Sequence, residues 1–451
     1  MRRLFGTDGV RGIANEMLTC EMAMNIGRAT AGVLVGREKN PLVLVGMDTR
    51  ISSVMLANSI IAGLSSVGSD SVNLGVVPTP AVAYLVTKYK ADAGIMISAS
   101  HNSFEYNGIK IFNSDGYKLA DELEERIESM VLDENPPIKI ASSDKIGRTL
   151  VRENAIDDYI QHLLMATDID FSGIKIAVDC ANGSSSATAQ RLFTKLGAEC
   201  HMLSDKPNGI NINDKCGSTH LENLKEYVVR HSLDAGLAFD GDADRFLCVD
   251  ERGNEVDGDM VMAVLALDMK NRGVLRNNTV VGTVMTNYGF GIFCKENDIN
   301  FIPAKVGDRY VLEELIAGDY NFGGEQSGHV ILKDYATTGD GQLTAVKLLS
   351  LMKRQNRKLS DIVSVIKKYP QHMVNIKVTP EEKLAFFTDP DIKELLNTVK
   401  SKLEGHGRIL VRPSGTEALL RVMIEGENLK ETIALTEDTA EKIARMLEKY
   451  S

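Results

Sequence analysis

Short apolar runs alternate with segments whose apolar positions recur every three or four residues, through most of the chain. Leu42-Val43-Leu44-Val45 predicts a buried strand that leads into the turn Gly46-Met47-Asp48-Thr49-Arg50, after which Met55, Ile60, Ile61 and Leu64 mark one face of a helix. Ala93-Gly94-Ile95-Met96-Ile97 predicts a second strand that stops at a polar loop from Ser98, and Leu119, Leu123, Ile127 and Val131 follow at helical spacing. Pro136-Pro137 and the polar stretch beyond them predict the end of a first domain. The same alternation restarts at Ile174-Lys175-Ile176-Ala177-Val178-Asp179, before Cys180-Ala181-Asn182-Gly183, and again at Thr279-Val280-Val281-Gly282-Thr283-Val284. Strands alternating with helices predict α/β domains with parallel or mixed sheets, whose ligands sit at the C-terminal ends of strands. From about residue 370 strands cluster around Val374-Ile376-Val378 and Ile409-Leu410-Val411, and a helix from Leu435 to Leu447 closes the chain, as in a small α+β domain.

Length and composition narrow the class. A chain of 451 residues exceeds one ordinary core and suggests roughly three domains. It is 43% hydrophobic and 25% charged, which is ordinary for a soluble globular protein. Asp8 and Arg11 precede any apolar stretch and no run reaches the length of a membrane span, so neither a secretory leader nor a membrane is expected. The six cysteines are scattered without a Cys-x-x-Cys pair, which fits reduced, mostly buried thiols in a cytoplasmic protein. A net charge of −11 speaks against nucleic acid as a partner.

Candidate chemistry starts at Asp240-Gly241-Asp242-Ala243-Asp244-Arg245, set between Leu237-Ala238-Phe239 and Phe246-Leu247-Cys248-Val249. Three crowded carboxylates repel one another unless a cation sits among them, and an all-oxygen set suits a hard ion such as Mg²⁺. A calcium loop of the EF-hand type would need glycine where Arg245 stands, and helices where these flanks read as strands. A phosphatase using the first Asp as nucleophile also fits the spacing. Three carboxylates with one Mg²⁺ leave a charge of −1, which Arg245 cancels. That leaves open what supplies the remaining metal ligand.

Ser98-Ala99-Ser100-His101-Asn102-Ser103, followed by Asn107-Gly108-Ile109-Lys110, reads equally as a polar turn or as a nucleophile loop. No Gly-x-Ser-x-Gly elbow is present, which speaks against a hydrolase triad. Arg412-Pro413-Ser414-Gly415-Thr416-Glu417, with Arg421 nearby, joins guanidinium, hydroxyls and glycine as a phosphate cradle would. The chain has no Gly-Lys dipeptide, so this is no P-loop. Gly324-Glu325-Gln326-Ser327-Gly328-His329 offers the mixed donors and acceptors that polyol hydroxyls need.

Together and in this order, these four loops resemble those of the α-D-phosphohexomutase superfamily, and the resemblance runs from Phe5-Gly6-Thr7-Asp8-Gly9-Val10-Arg11-Gly12 nearly to the end of the chain. The N-terminal segment, Lys305-Val306-Gly307-Asp308-Arg309-Tyr310 and Gln326 are most similar to the bacterial phosphoglucosamine mutases. The resemblance implies three related α/β domains with mixed sheets (1–150, 151–255 and 256–368) and a smaller C-terminal α+β domain (369–451) around a central cleft. It implies a phosphoserine at Ser100, which would also supply the missing ligand to Mg²⁺ beside Asp240, Asp242 and Asp244.

The implied reaction interconverts glucosamine 6-phosphate and glucosamine 1-phosphate through a glucosamine 1,6-bisphosphate, feeding UDP-N-acetylglucosamine synthesis. A phosphoglucomutase or phosphomannomutase is the nearest alternative. Ser100, His101, Lys110, Arg11 and Arg245 are the implied catalytic set. Glu325, Ser327 and His329 are implied for the sugar, and Arg412, Ser414, Gly415, Thr416 and Arg421 for the phosphate that is not reacting. A homodimer through the first domain is a further expectation. Arg11, Lys110, Arg245, Arg309, Arg412 and Arg421 all fall in motifs, so cations are expected to converge in the cleft while the exterior stays acidic. Ser103 and Ala418 stand where the family usually has proline, which removes a φ restraint but no reactive group.

Overall fold

The computed structural model of the chain describes residues 3–6, 8–34, 40–133, 137–414 and 418–450. They fall into two compact units, one of Met1–Met285 with Asn297–Val365 and one of Thr286–Glu296 with Ile366–Ser451.

The first unit holds three mixed sheets. The largest has seven strands in the order Phe5–Gly6, Gly9–Ile13, Tyr106–Asn113, Ala93–Ile97, Leu42–Met47, Asp70–Val76, Thr149–Leu150. The neighbouring strands Ala93–Ile97 and Leu42–Met47 run parallel and are buried at every position but Leu42, which explains their unbroken apolar character. The second sheet has five strands, Glu255–Val256, Phe246–Asp250, Ala235–Phe239, Lys175–Asp179 and Glu199–Leu203. The third has four, Asn300–Ala304, Thr279–Thr283, Phe322–Gly324 and Val330–Leu332. The second unit carries a three-stranded antiparallel sheet, Gln371–Lys377, Leu419–Gly426 and Gly407–Pro413. Three α/β layers and a smaller α+β one are therefore present, as expected.

All four motif loops occupy the same kind of position. Each joins two antiparallel neighbours: 98–105 between Ala93–Ile97 and Tyr106–Asn113, 240–245 between Ala235–Phe239 and Phe246–Asp250, 325–329 between Phe322–Gly324 and Val330–Leu332, and 414–418 between Gly407–Pro413 and Leu419–Gly426. In the first three, the incoming strand also pairs in parallel with another strand, so the loop leaves the sheet at its C-terminal edge, where α/β sheets bind ligands.

Two helices differ from expectation at their starts. Leu119 packs into the first core ahead of the helix Asp121–Leu132. The last helix begins at Leu429, six residues before the expected Leu435, capped by the Asn428 side chain. Its early core-facing positions are Thr432, Thr436 and Thr439, whose hydroxyls donate to carbonyls four residues back at 2.6–2.8 Å. Buried threonines satisfied in this way are invisible to an apolar periodicity. Among the described residues no helix is long and apolar enough to cross a membrane, and all six cysteines are free.

Candidate active site

Ser100 sits just past the strand Ala93–Ile97 with φ of 53°, a left-handed conformation that non-glycine residues adopt only when held. The holding group is Arg50. Its guanidinium is fully buried and donates to Asp48 Oδ2 (2.8 Å) and to the carbonyls of Ser100 (3.0 Å), Asn102 (2.9 Å), Tyr106 (3.0 Å) and Ser103. Asn213 Nδ2 donates to the Ser100 and Asn102 carbonyls as well, each at 2.9 Å. Asp48 in turn accepts from Ser98 Oγ at 2.6 Å, and Ser98 Oγ accepts from the Ser100 N–H at 3.0 Å. The serine backbone is thus fixed from several sides.

Ser100 Oγ donates to Asp240 Oδ2 at 2.5 Å, across 140 residues of sequence. The approach needs Gly241, because a Cβ there would lie 2.5 Å from the Ser100 carbonyl oxygen. Asp240, Asp242 and Asp244 are buried, each offering an oxygen within 4.8 Å of the others. Theirs is the one such cluster of His, Cys, Asp or Glu among the described residues. Asp242 Oδ2 is taken by Thr79 Oγ1 (2.6 Å) and Lys110 Nζ (2.8 Å), and Asp244 Oδ2 by Lys110 (3.4 Å) and His329 Nδ1 (3.6 Å). Asp242 Oδ1 and Asp244 Oδ1 are buried with no hydrogen-bond partner. Orphaned carboxylate oxygens of this kind fit a hard cation, and the groups on the opposite oxygens orient them as outer ligands do at metal sites.

The cations are individually accounted for. Lys110 touches Asp8 Oδ2 at 3.1 Å as well as the two aspartates. Burial works against its charge, but Asp242, Asp8 and Asp244 outweigh this and hold its pKa well above the usual value. Asp244 is held low in spite of burial by Lys110, His329 and Arg245, whereas burial and the repulsion of Asp244 and Asp242 push Asp240 up. Arg11 pairs with Asp8, and its buried Nε–H has no acceptor. Arg245 Nη1 lies 3.3 Å from His101 Nδ1, and its buried Nε–H is also without an acceptor. Burial, with Arg245 and Arg11 alongside, pushes His101 down to about 4 and keeps it neutral.

In the third loop, Glu325 Oε1 accepts from the Gly307 N–H at 3.0 Å, and Ser327 is half-buried at the tip. Burial and Asp308 push Glu325 up against the pull of His329 and Arg245. His329 accepts from the Gly339 N–H through Nε2 at 3.0 Å, which leaves the proton of its neutral form on Nδ1, facing Asp244. Both ring nitrogens therefore face protein groups. Arg309 departs from expectation: its guanidinium is spent on Asp121, Glu124 (3.9 Å) and Glu313 (3.1 Å).

In the second unit, Arg412 and Arg421 stand directly opposite each other on antiparallel strands. Like charges at such positions destabilise a sheet unless an anion joins them. Arg412 is pulled down by burial and by Arg421, and its buried Nε–H has no acceptor. Ser414 is buried, and its N–H donates to the Leu419 carbonyl at 2.8 Å. Gly415 and Thr416 lie outside the described residues.

Arg50, Asp48, Asn213 and Thr79 were not among the expected site residues. The turn ending in Arg50 was visible as charged residues behind a strand, but nothing in it shows that the side chain points inward.

The four hairpin loops and the acidic cluster define a class, the mutases that move phosphate between positions of a hexose. The phosphoglucomutase/phosphomannomutase family matches in four consecutive pieces: α/β/α domain I at residues 2–137, domain II at 157–253, domain III at 257–369 and the C-terminal domain at 373–442. The chain is 53% identical over 447 residues to the phosphoglucosamine mutase of Caldanaerobacter subterraneus subsp. tengcongensis, covering 99% of this chain and 100% of that one. It belongs to the phosphoglucosamine mutase family and is an isomerase of the mutase type.

Solved structures agree in fold. A phosphoglucomutase/phosphomannomutase family protein from Burkholderia thailandensis superposes with a TM-score of 0.82 at 22% identity, over 98% of this chain and 97% of that one. The N-acetylphosphoglucosamine mutase of Aspergillus fumigatus, solved with GlcNAc-6P and magnesium, superposes at 0.69 and 15% identity, over 100% and 96%.

Proposed function

We propose that the protein interconverts glucosamine 6-phosphate and glucosamine 1-phosphate, with Ser100 carried as a phosphoserine. One observation carries the reading: buried acceptors without donors, Asp242 Oδ1 and Asp244 Oδ1, lie in the same loop as a buried donor without an acceptor, Arg245 Nε. With Arg11 Nε, the site asks for a cation and an anion together. A divalent metal and a phosphoryl group meet both demands. Phosphoglucosamine mutases about half identical to this chain over nearly its full length support glucosamine as the sugar.

In the forward direction the phosphoryl group leaves Ser100 Oγ for O1 of the sugar. The P–Oγ bond breaks as the P–O1 bond forms, and the proton lost from O1 is matched by the one the freed Ser100 oxygen takes up. The bisphosphate turns over, and the P–O6 bond breaks as the P–Oγ bond re-forms; the Ser100 hydroxyl proton is given up as Lys110 delivers one to O6 and is itself reprotonated. Mg²⁺ held by Asp240, Asp242 and Asp244 would neutralise phosphoryl oxygens during both transfers. Arg245 and Arg11 hold the transferring group through their free N–H donors. Lys110, kept as an ammonium by its carboxylates, stabilises charge at the sugar oxygen and gives a proton to it in the return step. His101, neutral beside Arg245, orients that guanidinium.

Glu325 and Ser327 read hydroxyls presented in either orientation of the sugar, with His329 bracing the loop. Arg412, Ser414, Gly415, Thr416 and Arg421 hold the other phosphate. A phosphatase with Asp240 as nucleophile is disfavoured, because Ser100 Oγ fills the approach to Asp240 Oδ2. The enzyme works in the cytoplasm, and its first domain pairs two chains, for which sedimentation at the monomer mass alone would be the contrary result.

The test is kcat/KM on glucosamine, glucose and mannose 6-phosphates, with intact-protein mass before and after Ser100→Ala. Glucosamine should lead the panel, and one phosphate should map to the Ser100 peptide. A fully active Ser100→Ala enzyme would end the reading.

A further inference from the structure

The segment 305–310 set this chain apart in sequence, yet it has no part in the chemistry above. It leaves the strand Asn300–Ala304 and enters the helix Asp308–Ala317 through Gly307, at φ of 127°. Three consecutive residues then each hold something different. The Gly307 N–H holds Glu325. Asp308 Oδ2 accepts from Lys118 Nζ and lies 3.5 Å from His329 Nε2. Arg309 reaches Asp121 and Glu124 in the first turn of the helix Asp121–Leu132.

Lys118, Asp121 and Glu124 belong with the seven-stranded sheet, whereas residues 307–309, Glu325 and His329 belong with the four-stranded one. Neighbouring residues of opposite sign are thus answered, across the junction, by residues of opposite sign. Thr337 Oγ1 adds a bond to the Gly116 carbonyl at 2.6 Å on the same junction.

The first of these pairs also closes a ring of close polar contacts, with charges alternating from Asp308 through Lys118, Asp8 and Lys110 to Asp244 and the His329 imidazole joining its ends. Lys118 Nζ meets Asp8 Oδ1 (2.5 Å), Asp8 meets Lys110 (3.1 Å), Lys110 meets Asp244 (3.4 Å), Asp244 meets His329 (3.6 Å), and His329 returns to Asp308. No side chain in the ring is more than 20% exposed, so solvent screens it weakly. The ring ties the N-terminal loop, the serine strand, the acidic loop and the sugar loop into one set of contacts. Displacing any member therefore disturbs contacts in all four of these elements.

We propose that Asp308 and Arg309, with Lys118 and Asp121 as their partners, form a reciprocal ion-pair clamp that positions the sugar loop against the serine and acidic loops. None of the four is assigned contact with the substrate. They act through Glu325, His329, Asp8 and Lys110, and the activity readout rests on the mutase reading.

The test uses charge reversal at the more exposed pair, Arg309→Asp and Asp121→Arg, singly and together, in the full-length phosphorylated enzyme. Each single reversal sets like charges across the junction. Misplacement of the sugar by a fraction of an ångström should cut kcat/KM on glucosamine 6-phosphate about tenfold, with Ser100 phosphate occupancy by mass unchanged. The double reversal should recover to within about threefold of wild type, because the pair is restored with its sign exchanged.

Single variants with wild-type kcat/KM, or a double variant whose loss is the product of the two single losses, would overturn the clamp. At the buried pair, Lys118→Arg should retain most activity and Lys118→Met should not; equal loss in both would count against it. If wild type shows no turnover on any hexose phosphate, the mutase reading fails by itself. The clamp is then judged by hydrogen exchange in peptides covering 305–329: faster in the single reversals and restored in the double supports it, and no change in any variant refutes it.

Discussion

Replacing Arg50 by methionine should disarm the enzyme without touching any group that meets the substrate. The guanidinium is fully buried and makes one charge-assisted bond to Asp48 and four bonds to loop carbonyls. Methionine fills much of the volume, so the loss is electrostatic rather than a cavity. Asp48 would keep bonds from Ser53 and Ser98 but lose its counter-ion, and leaving a buried charge unpaired costs about 3–5 kcal/mol. The Ser103 and Tyr106 carbonyls would lose their guanidinium donor, adding about 1 kcal/mol each. Ser100 and Asn102 retain Asn213, so their bonds are halved rather than lost.

The local penalty is therefore on the order of 5 kcal/mol, enough for the loop to relax out of the left-handed conformation at Ser100. Arg50→Lys keeps the pairing with Asp48 but has too few donors for four carbonyls, and should cost about half as much. Thermal unfolding and single-turnover transfer from phosphorylated Ser100 report the two consequences. Transfer should fall at least ~100-fold in Arg50→Met and about 10-fold in Arg50→Lys, with apparent sugar affinity much less affected. An Arg50→Met enzyme with wild-type melting and wild-type transfer would refute the account of why Ser100 points at Asp240.

Asp244→Asn should weaken Mg²⁺ and cut turnover by ~100-fold or more, and the enzyme phosphorylated on Ser100 should bind Mg²⁺ more tightly than the dephosphorylated one; equal affinities by calorimetry would contradict a shared ligand set. Arg421→Gln should raise KM for the phosphosugar by about 10–100-fold through loss of a charge-assisted bond worth roughly 1.5–3 kcal/mol, and an unchanged KM would remove the phosphate role of that hairpin. Asp340 caps the helix Gly341–Gln355 and accepts from Tyr159 at 2.9 Å, and burial pushes its carboxyl up from 3.8 to about 6, so the folded chain is the proton-richer state in that window and the contribution is lost as pH rises through it. Asp340→Asn should therefore gain up to about 3 kcal/mol relative to wild type between pH 4 and pH 7, and a pH-independent difference in melting would refute the shift.

The alternation of strands and helices, and the four loops, were legible because buried parallel strands are uniformly apolar and break abruptly into polar turns. Hidden were the features in which polar groups are satisfied by one another. Thr432, Thr436 and Thr439 turn a helix face to the core while reading as polar, and Arg50 reads as a surface cation while being completely enclosed. The meeting of Ser100 with Asp240 depends on two loops from different sheets passing at Gly241, where the absence of a side chain carries the information. Arg309 shows the opposite error. Its place in a motif suggested a cation for phosphate, and only its partners Asp121, Glu124 and Glu313 reveal that its charge is already used.

How an acidic chain accommodates phosphates also becomes a narrower question. Around Ser100 the cations Arg11, Lys110, Lys118 and Arg245 face the carboxylates Asp8, Asp240, Asp242, Asp244, Asp308 and Glu325. With every carboxylate ionised and Ser100 unphosphorylated, four positive charges against six negative ones leave the site short by two, so clustering cations does not by itself make it attractive to an anion. One divalent ion cancels that deficit, and the phosphoserine proposed at Ser100 adds about two further negative charges that make the ion the more necessary. Metal and phosphosugar should then bind with positive coupling, each raising the affinity of the other by the same factor. The acidic loop in this arrangement makes the affinity for phosphate conditional on the metal, and equal phosphosugar affinity with and without Mg²⁺ would show that the charges are balanced by something else.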